Sequence, residues 1–368
     1  MKKNTVNAFF TMVRAGLWEK EVRLLSYGDV RFADVFQLAE EQSVVGVVAA
    51  GIEHVADTKL QKKDVLQFIG NCMQIERNNQ LMNCFIGSIV EKMREAGIAT
   101  VLVKGQGIGQ CYERPLWRTS GDVDLFFDAE NYEKAKEFLP SLAATVESEN
   151  KRKKHFAMHF TPWIVELHGL MPTEISERIN AGVERVQHDI FQNDGIRVWK
   201  NDGVDVYLPS PDNDAIIIFT HFLKHFFVGG VGLRQICDWC RLLWKFRDTI
   251  DRSLLEKRLL EMGIVSEWKA FAAFVVDYLG MPVEAMPLYE QGPSWSRKAK
   301  RICRVVLEAG NFGHNKDNSY RSRYPKLIEK SITFFRRFGE YIRLFTIFPA
   351  DAPLFFVTYV RRRTKAAF

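Results

Sequence analysis

The chain has 368 residues, of which 47% are hydrophobic, 26% charged and 12% aromatic. These proportions belong to a folded soluble protein and exclude a disordered, collagen-like or disulfide-scaffold chain. The net charge is +6, but residues 321–368 hold 11 Lys/Arg against 3 Asp/Glu, a local +8 that leaves the rest of the chain at −2. Attraction to nucleic acid or acidic lipid would therefore come from this stretch.

Six cysteines spread thinly over a long chain read as reduced, mostly buried thiols of a cytoplasmic protein. The start lacks a secretory pattern, because its apolar stretch is broken by Thr11 and closed by Arg14. No segment offers 18 uncharged apolar residues. The longest candidate, Leu344 to Val360, contains Asp351 and two prolines, so no spanning helix is expected.

Along residues 1–95, apolar positions recur at intervals of three and four, which predicts helices, with Gly97 as a stop. Ile98 to Val103 is a fully apolar, β-branched run of strand length. Val123–Phe127 is a second strand candidate, 130–139 reads as a helix, and Ala144–Glu147, His155–Phe160 and Trp163–His168 are extended runs. Beyond Glu174 the pattern is mainly helical, apart from a β pair at Ile196–Trp199 and Val204–Leu208. Ser210-Pro211-Asp212 predicts a helix start with the serine as cap, and further helices cover roughly 232–247, 252–262, 265–279 and 296–309. The expected organisation is an N-terminal helical region (1–95), an α/β core (96–210), a C-terminal helical region (211–310) and a basic aromatic tail (311–368).

The chemistry concentrates in Ser120-Gly121-Asp122-Val123-Asp124-Leu125. Residues two apart on a strand share a face, so Asp122 and Asp124 present two carboxylates on one side while Val123 and Leu125 enter the core. Two adjacent carboxylates repel unless a cation lies between them, and such oxygen ligands suit Mg²⁺, with Mn²⁺ as an alternative. Glu166, an acid in the apolar strand Trp163–His168, is the candidate third carboxylate of a two-metal site. Upstream, Val101-Leu102-Val103-Lys104-Gly105-Gln106-Gly107 is a strand running into a glycine-bearing turn and a helix, where free backbone N–H groups suit phosphate. Lys104 and Arg118 add positive charge. The order of glycine and lysine is not that of a P-loop.

Taken together, Leu102-Val103-Lys104-Gly105, Cys111-Tyr112, Arg118-x-x-x-Asp122-x-Asp124-Leu125 and Val165-Glu166-Leu167-His168 resemble the uncharacterised nucleotidyltransferase family of the polymerase-beta superfamily. Thr220-His221-Phe222-Leu223-Lys224-His225 and Leu233-Arg234-x-x-x-Asp238 are similar to that family as well, and the resemblance covers roughly residues 30–250. It implies an α+β fold, a small mixed sheet flanked by N- and C-terminal helical regions that form the other wall of a cleft. It also implies Mg²⁺-dependent transfer of a nucleoside monophosphate from an NTP to an acceptor. Asp122, Asp124 and Glu166 would be the catalytic metal ligands, and Lys104, Gly105, Arg118, Ser120 and Gly121 would hold the triphosphate. One departure stands out. The superfamily's Gly-Ser pair about ten residues before the first aspartate is replaced here by Lys104–Gly105 further upstream, with Ser120–Gly121 directly adjacent.

Two other functions compete. A metal-dependent glycosyltransferase also uses Asp-x-Asp, for a nucleotide-sugar, but several strands should precede that motif and only one does. A non-catalytic scaffold would use the basic tail on lipid or RNA.

Other groups carry competing readings of their own. His221 and His225 share a helix face and, with Cys237-x-x-Cys240, offer a zinc set; the alternatives are core histidines or, by the resemblance, lining of the cleft together with Arg234 and Asp238. Arg234 and Asp238 have the spacing of a helix salt bridge. Lys151-Arg152-Lys153-Lys154 reads as a hairpin turn or as a contact for an acidic acceptor. Phe334, Phe338, Tyr341, Phe345 and Phe348 fall on one helical face, for docking on the core or on a membrane surface, with Arg361-Arg362-Arg363 and Lys365 beyond.

Overall fold

The computed structural model describes residues 3–192, 195–313 and 325–365. Four helices come first: α1 (Lys3–Trp18), α2 (Phe32–Glu41), α3 (Val45–Ile52) and the 34-residue α4 (Lys62–Glu95). Gly97 takes φ 70 and ends α4 as expected, and the Ile98 amide donates back to the Met93 carbonyl at 2.8 Å. That bond helps explain why the first strand, β1 (Val101–Val103), is shorter than the apolar run that predicts it. A one-turn helix α5 (Gly105–Gly109) follows, then β2 (Val123–Phe126), α6 (Ala129–Phe138), β3 (Thr145–Val146), β4 (His155–Phe160) and β5 (Trp163–His168).

These strands form one mixed sheet in the order β1-β2-β5-β4-β3. β2 and β5 run parallel at its centre and the other pairs are antiparallel. Helix α7 (Glu177–Ile190) leads to a separate hairpin, β6 (Ile196–Asn201) and β7 (Val204–Pro209). The chain then returns to helices: α8 (Pro211–Val228), α9 (Leu233–Lys245), α10 (Arg252–Met262), α11 (Val265–Leu279), α12 (Pro293–Ala309), α13 (Lys326–Ile347) and α14 (Asp351–Lys365). Ser210 stands at the cap of α8 with Pro211 in its first turn, as predicted, but its side chain makes no capping bond. Ser176 and Asp128 do cap, accepting from the amides of Ile179 and Asn131.

The period-two alternation of the strands divides the protein into two apolar cores. Leu102, Val123, Leu125, Val165 and Leu167 point to one side, where Ile86, Ile89, Val90 and Met93 of α4 and Tyr132 of α6 cover them. The larger core lies on the other side and is shared by helices from both ends of the chain. Polar bonds tie those ends together: Trp18 Nε1 donates to the Leu279 carbonyl at 2.6 Å and Gln42 Nε2 to that of Val306 at 3.1 Å. Helix α4 bridges the two cores, since Phe68 and Cys72 near its start belong to the larger one.

The tail docks through part of the predicted aromatic face, chiefly Phe348, together with aliphatic neighbours that the aromatic pattern did not include. Leu344, Ile347 and Phe348, with Ala352 and Phe355 of α14, are buried, and Phe348 lies against Phe226, Phe227 and Phe271. Phe338 and Phe345 are exposed, and Tyr341 stacks on Phe356 of α14. The C-terminal turn of α13 enters the core most deeply among its described residues, while Tyr341 packs at its margin and Arg337 donates to the Val228 carbonyl. The side chains of Phe334, Arg361–Arg363 and Lys365, and the segment holding Arg321 and Arg323, lie outside the described residues. All six cysteines are free, and five are buried. Among the described residues, no helix is long and apolar enough to cross a membrane.

Candidate active site

The parallel pairing of β2 with β5 sets Asp124 opposite Glu166 and Phe126 opposite His168. Since Val123, Leu125, Val165 and Leu167 turn to the α4 core, Asp122, Asp124, Glu166 and His168 share the opposite face. Ligand atoms of Asp122, Asp124 and Glu166 lie within 4.8 Å of one another, close enough for a metal ion. His155, Glu166 and His168 form a second such group that shares the glutamate.

Charge compensation within this group is uneven. Asp124 is buried and accepts from Lys104 Nζ and His168 Nε2, both at 2.8 Å. Burial opposes its negative charge, but Lys104 and His168 outweigh it and hold the carboxyl below its usual range. Glu166, contacted by His155 at 3.1 Å and His168 at 3.4 Å, is held low by those two hydrogen bonds. His168 is raised in turn: burial disfavours its charge, and its bonds to Asp124 and Glu166 prevail. Asp122 differs from both. It is exposed, and repulsion from Asp124 pushes its pKa up. The set thus carries one carboxylate whose charge nothing in the protein fully offsets.

The turn after β1 aims Lys104 at this group. Lys104 has φ 59 and Gly105 φ 45; positive φ is unusual for a residue with a Cβ and marks a backbone held by its surroundings. Arg118 has a different partner from the local one that spacing suggests for Asp238. Its Nε and Nη2 form a two-pronged bond to Asp238, each at 2.7 Å, and Tyr112 donates its hydroxyl to the same carboxylate at 2.8 Å. Arg234 therefore does not pair with Asp238 along the helix. Its Nη1 donates to the Thr119 carbonyl at 3.2 Å, and its guanidinium lies beside Gly121. The buried Nε of Arg234 has no partner.

These groups line a cleft of about 320 Å³ closed by α8 and α9. Lys104, Gly105, Arg118, Gly121, Asp122, Asp124 and Glu166 all reach it; Ser120 does not. From α8 come His221, Lys224 and His225. Burial drives both histidines toward the neutral form, His221 with help from Lys104 and His225 from Lys224, the latter down to about 3. The zinc set is not assembled: Cys237 and Cys240 are buried in the helical core, and no metal-competent group among the described residues includes them or these histidines.

Residues 29–280 match the family described as "Uncharacterised nucleotidyltransferase". The chain belongs to that family. Among solved structures it is similar to the crystal structure of an antigenic nucleotidyltransferase-like protein from Paracoccidioides brasiliensis, at 16% identity and a TM-score of 0.33, over 55% of this chain and 93% of that one. No curated protein matches. The family seen in the motifs is thereby borne out, and the mixed sheet with helical flanks is the arrangement it implied. For this nucleotidyltransferase-family chain, the acidic cluster on β2 and β5 is a group able to hold a metal ion.

The contacts of three site residues escape motif reading. His168 was visible only as part of a motif, yet it bridges Asp124 and Glu166; its place two residues after Glu166 on one strand was the available signal. Lys224 and Arg234 stand in the later motifs, and the cleft-lining place the resemblance gave Arg234 holds, but which groups they face depends on how the later helices return over the sheet.

Proposed function

We propose that this protein transfers a nucleoside monophosphate from an NTP to an acceptor, with Mg²⁺ bound by Asp122, Asp124 and Glu166. The observation that carries the reading is the triad itself: three carboxylates from adjacent parallel strands converge within 4.8 Å at the floor of a cleft. The donor set is all oxygen, which suits a hard divalent ion, and Asp122 has a charge left to give. Bound there, the ion would neutralise phosphate oxygens and lower the barrier to attack by an acceptor oxygen.

The chain's own groups then position the reactants. Lys104 and His168 hold Asp124 in place, and His155 with His168 holds Glu166. The open backbone at Gly105 and Gly121 and the guanidinium of Arg234 make the triphosphate end of the cleft. Arg118 supports that end indirectly, by fixing Asp238 and the loop before Gly121. In the reaction an acceptor oxygen attacks the α-phosphorus, the α–β bridging bond breaks, pyrophosphate leaves and the acceptor's proton passes to solvent. Positioning and charge neutralisation suffice for such chemistry.

The test is thermal unfolding with each of the four NTPs, with and without Mg²⁺, on wild type and on the double variant Asp122→Asn/Asp124→Asn. A ligand at 100 times its dissociation constant adds about 2.7 kcal/mol. A Mg²⁺-dependent rise confined to the wild type supports the transferase and names the donor. Equal behaviour of the two proteins removes it.

A further inference from the structure

The cleft has two cationic ends, and the triphosphate accounts for one. Arg234 stands at the end formed by Thr119 and Gly121. The charges acting on it are Arg118, Asp238 and Asp122. Lys224 belongs elsewhere: the charges acting on it are first Lys153 and Glu174, then Lys104 and Glu166. That end is built from the turn 151–154, the loop after β5 and the middle of α8, and Lys153, Thr173 and Lys224 line it.

Among the described residues, cations outnumber carboxylates there. Glu174 is shared by Arg152 at 3.2 Å and Lys153 at 2.9 Å, and Lys224 makes no ion pair with a described residue. His221 and His225, the other titratable groups on this face of α8, are pushed toward neutrality by burial, so they add no positive charge at neutral pH. Among the described residues, Arg152, Lys153 and Lys224 face Glu174 at this end, Glu166 acts on Lys224 from further off, and Lys224 is half-buried with no ion pair to a described residue. An ammonium taken out of water costs free energy unless an anion joins it. Two compact ammonium groups suit a phosphate group as point charges.

We propose that Lys153 and Lys224 form a subsite for a phosphate group carried by the acceptor, on the Glu166 side of the metal-binding carboxylates and apart from the triphosphate end. The assignment to the acceptor rests on the transferase reading above; the anion subsite does not. The turn Lys151–Lys154 thereby acquires a function through one member, Lys153, while Lys151 and Arg152 stay exposed.

The probe is inorganic phosphate, titrated into the full chain by calorimetry at matched ionic strength, with and without Mg²⁺ and a non-hydrolysable NTP analogue. Wild type is expected to bind phosphate in both conditions. Lys224→Met and Lys153→Met should each weaken it roughly tenfold or more, whereas Arg234→Met should leave it unchanged and weaken the NTP analogue instead. Lys224→Met replaces a half-buried charge by an apolar chain of similar length, so its fold is expected to hold, and Lys224→Arg should keep most of the phosphate affinity. Absence of phosphate binding by wild type, or binding unaffected by both lysine substitutions, overturns the subsite. Phosphate binding lost only in Arg234→Met overturns it as well, because the anion then sits at the triphosphate end. Wild type that binds phosphate at the lysines but responds to no NTP removes the transferase reading, and with it the acceptor assignment alone.

Discussion

The two aspartates of the triad should respond unequally to neutralisation when no metal is present. Asp124 is 3% exposed and is the anion for Lys104 Nζ and His168 Nε2, each 2.8 Å away. Changing it to Asn leaves Lys104 beside a neutral amide in a largely enclosed site. Breaking a buried pair in this way costs about 3–5 kcal/mol. At about 2.1 cal/mol/K of unfolding entropy per residue, and for a chain that melts as one unit, each kcal/mol moves the midpoint roughly 1.3 °C, so the expected fall is about 4–6 °C. Asp122 gains nothing comparable from the protein. Its neighbour Asp124 repels it, and its exposed side keeps that repulsion within about 1 kcal/mol. Asp122→Asn should therefore leave the midpoint unchanged or raise it by about 1 °C. Both variants should lack the rise expected of wild type in Mg²⁺. The assay is a thermal melt in chelator and again in Mg²⁺, on wild type and the two single variants. If Asp122→Asn destabilises the metal-free protein as much as Asp124→Asn does, the two carboxylates are compensated alike and the uneven compensation is refuted.

Arg118→Ala should cost about 3–5 kcal/mol in urea unfolding, because it strands Asp238 and the Tyr112 hydroxyl in the interior, and Lys should not restore the two-pronged bond; an unchanged midpoint with lost NTP binding would assign Arg118 to the nucleotide instead. His225 is depressed by burial and Lys224 to about 3 from an ordinary 6.5, so its contribution is whole above pH 6.5 and drains away as pH falls toward 3. By pH 5 the loss relative to pH 7 is about 2 kcal/mol, at 1.36 kcal/mol per pH unit; His225→Gln should flatten that decline, and equal declines in the two proteins would refute it. Phe348→Ala should cost about 3–5 kcal/mol in the packing that docks the tail, given that its ring is 1% exposed among Phe226, Phe227 and Phe271. Limited proteolysis should then remove the tail sooner than in wild type.

What was legible in the sequence, and what was not, follows the distance between partners along the chain. Asp122, Asp124 and Glu166 could be set on one face because a strand's alternation is local, and a parallel neighbour repeats it. Gly97 could end α4 for the same reason. The ion pairs behaved otherwise. Four-residue spacing favours Arg234 with Asp238, worth only a few tenths of a kcal/mol on an exposed helix. Here the helix is buried, and a guanidinium 120 residues upstream reaches the same carboxylate with two bonds. In the interior the better-satisfied geometry wins over the nearer partner, since an imperfectly paired buried charge costs several times what a surface pair gains. That inversion releases Arg234 to face Gly121. The tail obeys the same rule, because its aromatic stripe is a local pattern and its buried stripe is chosen by the phenylalanines of α8 and α11. A motif can therefore locate the clustered carboxylates of such a protein and the lysine beside them, whereas Lys224 and Arg234 belong to the helices that fold back over the sheet. The substrate preferences of the cleft should accordingly change through α8 and α9, with the carboxylate floor left as it is.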